Sequence, residues 1–194
     1  DDYVKKMGLS QQLGSQMMAM VIETENGKVY KAPSPAQEDA ADVPFPEDIP
    51  NGTIPDNAHW FSPPGFGLTE YQNLFSARQM TMLTTFCDLL KDVQDKVSID
   101  AMTAGYSSDE KQLCDGGSGA LAYGQAVSVY LAFVIDKMAD RNTTVCTWNS
   151  SGGNPRATFG RQAIPMAWNF AEGNPFSTIT GNFDTALKNI VAAI

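Results

Sequence analysis

The chain has 194 residues, of which 43% are apolar and 18% charged, enough for one sizeable core and an ordinary globular composition. A net charge of -9 argues against a uniformly basic nucleic-acid surface. Cys87, Cys114 and Cys146 are odd in number, far apart and without a CxxC pair, so they support neither a disulfide framework nor a zinc site and fit a reducing cytosol.

His59 is the single histidine, which argues against a catalytic triad or a His-based metal site within the chain. The charge is uneven. Residues 1–60 hold ten acidic and four basic residues, whereas residues 141–171 hold Arg141, Arg156 and Arg161 and no acid. An anionic partner is expected at the second region. The opening DDYVKKMGLS lacks an initiator Met and a signal peptide, and reads as an excised piece of something longer.

In chain order, MMAMVIETENGKVY carries the first structural signal. A run of strand formers meets Asn26-Gly27, the pair favoured in type I′ turns, which predicts a β-hairpin with Glu25 opposite Lys28. Such a hairpin is marginal alone, so it is expected to dock on helices or to join a sheet completed elsewhere. Residues 32–67 contain eight prolines and many acids. Pro35 suits the first turn of a short helix, and the remainder predicts an extended loop pinned by Phe45, Trp60, Phe61 and Phe66.

Ser76 and Gln79 then form a capping box, with Phe75 and Met80 as its hydrophobic staple. The periodicity of Met80, Leu83, Cys87, Leu90 and Val97 predicts an amphipathic helix from Ala77 to about Val97. Asp92 and Lys96 are expected to pair on its outer face. Near residues 108–113 a single helical turn is expected.

Residues 115–141, DGGSGALAYGQAVSVYLAFVIDKMADR, have no charge between Ala120 and Ile135. A helix apolar on all sides must be covered by neighbours or lipid. Its length and its polar Gln125, Ser128 and Tyr130 argue against lipid, so a buried central helix is predicted, with Ser118 as N-cap. Residues 142–156 are polar and glycine-rich and predict a flexible loop. A helix over about 165–171 and a last helix opening at Asn182 or Asp184 complete the chain. The last helix is expected to pair Asp184 with Lys188 and to turn Leu187, Ile190 and Val191 inward. It ends within its own apolar pattern, a further sign of truncation.

These elements predict a mainly α fold: a helical bundle around a buried central helix, with a small N-terminal β-hairpin and a long Pro-rich wrapping loop. The expected organisation is a hairpin segment (1–31), a Pro-rich acidic connection (32–67) and a helical core (68–194), one domain in all.

Three motifs invite a functional reading. Gly117-x-Gly119-x-x-Ala122 fits a relaxed nucleotide-binding pattern, and the glycines from Gly116 to Gly119 precede a helix N-terminus where phosphate could sit. The preceding DEKQLCD is no strand, so a plain helix start is favoured. Asn174-Pro175-Phe176 is similar to the NPPF/DPPY tetrad of amino methyltransferases, where an Asn or Asp side chain accepts a hydrogen bond from the target amine; it is one proline short, and a helix stop and turn fit it equally. Arg161-Gln162 and Arg78-Gln79 pair side chains suited to phosphates and base edges, although Gln79 is also needed by its capping box.

Taken together, GLTEYQNLFSARQMTMLTTFCDLL, GGSGALAYGQAVSVYLAFVIDKMADRN and above all FGRQAIPMAWNFAEGNPF resemble blocks of the large adenine-specific DNA methylases that carry an internal zinc ribbon. The hairpin sequence resembles the segment that follows the ribbon, so the resemblance spans about residues 17–183. It implies a parent enzyme that transfers a methyl group from S-adenosylmethionine to adenine in DNA, with the base flipped out.

This chain lacks the FxGxG-type cofactor motif, the full tetrad and the ribbon cysteines. No catalytic, cofactor-binding or metal residue is therefore assigned, and the chain alone is expected to be inactive. It is expected to be a cytoplasmic helical module, bound to the remainder of the methyltransferase chain, with Arg141, Arg156, Arg161 and Gln162 as candidate DNA contacts. The alternative is a scaffold that contacts protein partners and no DNA.

Overall fold

A computed structural model describes residues 2–57 and 59–194. The fold is mainly α with minor β. Five α-helices occur among the described residues: α1 (Asp2–Leu9), α2 (Pro35–Ala41), α3 (Ala77–Thr103), α4 (Ala120–Ala139) and α5 (Phe183–Val191). The strands form two antiparallel hairpins, β1 (Met20–Thr24) with β2 (Gly27–Lys31) and β3 (Trp148–Asn149) with β4 (Asn154–Pro155). The chain divides into two compact units, one of Asp1–Thr81 and Asn142–Glu172, the other of Met82–Arg141 and Gly173–Ile194.

In the first unit, the β1–β2 hairpin forms with a different turn from the expected one. Thr24 lies opposite Gly27 and Glu23 opposite Lys28, so Glu25 and Asn26 make the turn. Gly27 has φ +105°, and Asn26 is not in the left-handed region. A type I′ turn would need positive φ at both central residues; here the one left-handed residue follows the turn, as in longer hairpin loops. The register differs from expectation by two residues, which leaves each side chain on its expected face.

Among the described residues, the hairpin meets the second hairpin. Trp148 Nε1 donates to Tyr30 Oη at 3.2 Å, with the rings edge-on at 6.3 Å. Gly153, at φ +61°, lets the Lys28 side chain lie against it.

The Pro-rich segment does begin with a short helix. The Ser34 backbone N–H donates to Gln37 Oε1 at 2.9 Å ahead of Pro35. Beyond α2, Phe45 and Trp60 are exposed and do not pin the loop. Ile54 does so: it is buried with Leu74, Val145 and Ile164, with Phe61, Leu68, Phe75 and Ala167 packed around them. Backbone bonds from Ile54 to Thr69 and from Tyr71 to Gly52 hold the segment in place.

Helix α3 begins in the first unit and continues from Met82 into the second, which is built on the rest of α3 with α4 and α5. The capping box that starts α3 is present as expected, with Ser76 N–H donating to Gln79 Oε1 at 2.9 Å and Gln79 N–H to Ser76 Oγ at 3.2 Å. The helix runs to Thr103, past the expected end near Val97. That extension brings Asp100 within reach of Lys96 at 3.2 Å, and this pair forms where Asp92 was the expected partner. Leu83 and Ala101 are buried, while Cys87 of the expected stripe is exposed.

Helix α4 crosses α3 at Gly124. A Cβ there would stand 2.2 Å from Ser98 Oγ and 2.7 Å from the Gln94 carbonyl oxygen, so glycine permits close approach. One turn later Ser128 Oγ donates to Leu90 O at 3.4 Å, so the two helices run antiparallel. Val134, Ile135 and Met138 are buried with Ala186 of α5, and Phe86 of α3 stacks on Phe183 at 5.4 Å.

The expectation that α4 is covered on all sides is corrected. Tyr123, Val129, Tyr130 and Phe133 are exposed, so the helix is not covered all round. Asn182 caps α5 by accepting from Thr185 N–H at 2.7 Å, and Asp184 pairs with Lys188 at 2.6 Å. Ala186, not Val191, supplies the buried position; Val191 is exposed. No described helix is long and apolar enough to cross a membrane.

Candidate nucleic-acid interface

Residues 142–171, expected as a flexible loop and then a helix, instead form a folded, irregular part of the first unit. Asn142, Thr143, Cys146 and Thr158 are buried. Thr143 Oγ1 and Thr158 Oγ1 lie 2.9 Å apart, Cys146 Sγ is 3.3 Å from the first and 3.2 Å from the second, and Val145 N–H donates to Thr143 Oγ1. Buried hydroxyls need partners, and each of these supplies the others. The expected helix over 165–171 is absent. Two long-range bonds take the place of local helix bonds: Met166 N–H donates to Ser62 Oγ at 2.6 Å, and Ala171 N–H to Cys146 O at 2.8 Å.

On this frame sits the stretch RATFGRQ, residues 156–162. Arg156 N–H donates to Thr147 O at 2.9 Å at its start, and Ile164 N–H donates to Trp60 O at 2.8 Å just past its end. Gly160 N–H reaches Ala157 O at 3.4 Å and closes a turn whose central residues are Thr158 and Phe159. Thr158 is 6% exposed and points into the hydroxyl cluster. Phe159 beside it is 70% exposed. Arg156, Arg161 and Gln162 are exposed as well.

The structure therefore brings Arg156, Arg161 and Gln162 to one short exposed stretch. Arg141 is not part of it. It is half-buried and belongs to the second unit, where its stem lies against Gly181, 3.0 Å from the point a Cβ would occupy. Phe159 was not among the residues singled out from the sequence. Its signal was the aromatic between two arginines in RATFGRQ.

The other motifs are absorbed by structure. Arg78 donates from Nε to Glu172 Oε2 at 2.7 Å and from an Nη to Oε1 at 2.8 Å, and also bonds the Ala41 carbonyl. The Glu172 hydrogen bond raises the Arg78 pKa above its ordinary value, against the opposing effect of burial. Arg78 is thus committed inside the fold, and Gln79 to its capping box. Asn174 Oδ1 accepts from Phe176 N–H at 2.9 Å, an Asx turn that occupies the atom an amine would need, and Phe176 is 84% exposed.

The glycine-rich start of α4 is filled by its own chain. Gly119, not Ser118, is the N-cap, and Ala120 N–H donates to Ser107 O at 2.8 Å. A Cβ on Gly117 would stand 2.0 Å from Lys111 O, and one on Gly119 would stand 2.8 Å from Ser107 O. The preceding loop is therefore packed directly against these glycines. The single helical turn expected near 108–113 falls later, at Leu113–Asp115. Among the described residues, no three His, Cys, Asp or Glu side chains gather in a way that could hold a metal. No family model, curated protein or solved structure matches the chain.

Proposed function

We propose that the chain is a helical module of an S-adenosylmethionine-dependent, adenine-specific DNA methyltransferase of the cytoplasm, and that it contacts DNA while the remainder of the enzyme carries cofactor and chemistry. The sequence blocks that resemble the zinc-ribbon adenine methylases motivate the enzyme class. The observation that carries the DNA contact is the exposed stretch of Arg156, Arg161 and Gln162 within a span free of acids from 142 to 171. Arginine suits phosphates and guanine edges, and glutamine suits adenine edges. A second reading, a protein scaffold, draws on the exposed apolar side of α4 and the acidity of the first 60 residues.

Titration of the chain with labelled DNA at low salt separates the two. Binding is expected, weakened by Arg156→Ala and by Arg161→Ala, with each substitution lowering the salt slope by about 1. Absence of binding at low salt, where phosphate contacts are strongest, overturns the DNA-contact reading and favours the scaffold. With S-adenosylmethionine added, the chain alone transfers no methyl group; transfer would contradict the assignment of chemistry to other parts of the enzyme.

A further inference from the structure

We propose that a cavity in the first unit, where α1 meets the short helical turn Pro63–Phe66, binds a free apolar amino acid, with Lys5 on its carboxylate and Asp56 on its ammonium. None of these residues enters the DNA-contact reading. The cavity has a volume of about 510 Å³, within the range of small-molecule sites. Two glycines fix its frame. A Cβ on Gly8 would collide with the Phe66 carbonyl, and one on Gly67 with the Gly8 carbonyl. The two backbones therefore touch, and Gln11 Nε2 donates to the Gly67 carbonyl at 3.2 Å. Lys5 lies about one helical turn before Gly8, and its ammonium stands 5.8 Å from the centre of the Phe66 ring. Trp168 meets the same ring edge to face, with 5.1 Å between centres. The cation and the aromatic wall are thus both held in place.

The charges select the ligand. Asp56 lines the same cavity as Lys5. The two do not bridge each other, and among the described residues neither forms a salt bridge. Opposite charges that share a cavity without meeting suit a molecule that carries both signs itself. An anion alone would leave Asp56 uncompensated, and a cation alone would leave Lys5 so. A zwitterion has no net charge, so the nine net negative charges of the chain do not oppose it. The lining also includes Ile54, 4% exposed, and the half-buried Phe61, Pro64 and Phe66. These offer an apolar side chain a surface to cover, and an aromatic one a ring to pair with.

The test is a calorimetric titration of the whole chain with L-phenylalanine and three truncated probes. Glycine lacks the side chain, 3-phenylpropanoate the ammonium and phenethylamine the carboxylate. L-phenylalanine is expected to bind more tightly than any of the three. Lys5→Met and Asp56→Asn are each expected to weaken L-phenylalanine about five-fold, the upper end for an exposed ion pair. Lys5→Met is not expected to weaken phenethylamine, nor Asp56→Asn to weaken 3-phenylpropanoate. Both side chains are exposed, and circular dichroism of each variant confirms that the fold is kept. If L-phenylalanine does not bind at millimolar concentration, the proposal is overturned. It is also overturned if both variants bind L-phenylalanine as the parent does, or if 3-phenylpropanoate binds as tightly, which would make the cavity an anion site. The outcome of the DNA titration bears on neither charge, so the two readings stand or fall separately.

Discussion

Glu172 holds Arg78 through two hydrogen bonds and accepts a third from Ser76 Oγ at 2.7 Å, so one carboxylate secures both the residue that caps α3 and the arginine in its first turn. Charge-assisted hydrogen bonds contribute about 1.5–3 kcal/mol when buried. Arg78 has a 37% exposed side chain, so solvent screening lowers that figure. Glu172→Ala is therefore expected to destabilise the fold by about 1 kcal/mol, read as a lower urea midpoint at unchanged slope. An unshifted midpoint would mean the pair contributes nothing. At this scale the sequence was legible where the partners are local: Ser76 with Gln79, Asn182 with Thr185 and Asp184 with Lys188 all lie three or four residues apart. Glu172 lies 94 residues from Arg78, and no spacing rule connects them.

Helix boundaries and faces were legible only in part, for reasons that differ from element to element. The apolar stripe ahead of Val97 announced α3, but the six residues beyond Val97 are held by the Lys96–Asp100 pair and by burial of Ala101, which lies past the stripe. The glycine-rich start of α4 fitted a relaxed nucleotide-binding pattern, although a plain helix start was favoured, because glycines mark close approach of any partner. Here that partner is the chain's own segment of Ser107 to Gln112.

Gly124 shows the same economy of space between helices. Replacing a helical glycine by alanine normally gains about 1 kcal/mol in propensity. At Gly124 the added Cβ meets the Gln94 carbonyl, which is helix backbone and cannot swing aside. Overpacking of this kind costs about 1–3 kcal/mol. Gly124→Ala is expected to give a net loss of up to about 2 kcal/mol by the same difference, measured as a fall in the thermal midpoint. A rise would show that α3 and α4 stand further apart.

Over the whole molecule, nine net negative charges oppose an anionic partner, and the arginines act against that background. Two phosphate contacts give a slope of log affinity against log salt of about -1.4 on a single strand and -1.8 on a duplex. Salt also screens the general repulsion, so the measured slope is expected to be shallower than these values. Anisotropy titrations at several salt concentrations check this. A slope steeper than about -2 would require more cationic contacts than Arg156 and Arg161 supply.

The sequence by itself determined the mainly α class, the place of the hairpin, the capped start of α3 and the acid-free span that holds the arginines. All of these depend on neighbours within a few residues or on composition. Only the tertiary structure decided what residues 142–171 do. Thr143, Cys146 and Thr158 read as surface polar residues because a hydroxyl or thiol is equally at home in water or in a satisfied cluster, and the satisfying partners lie up to 15 residues away. Their burial braces the turn that carries the exposed Phe159.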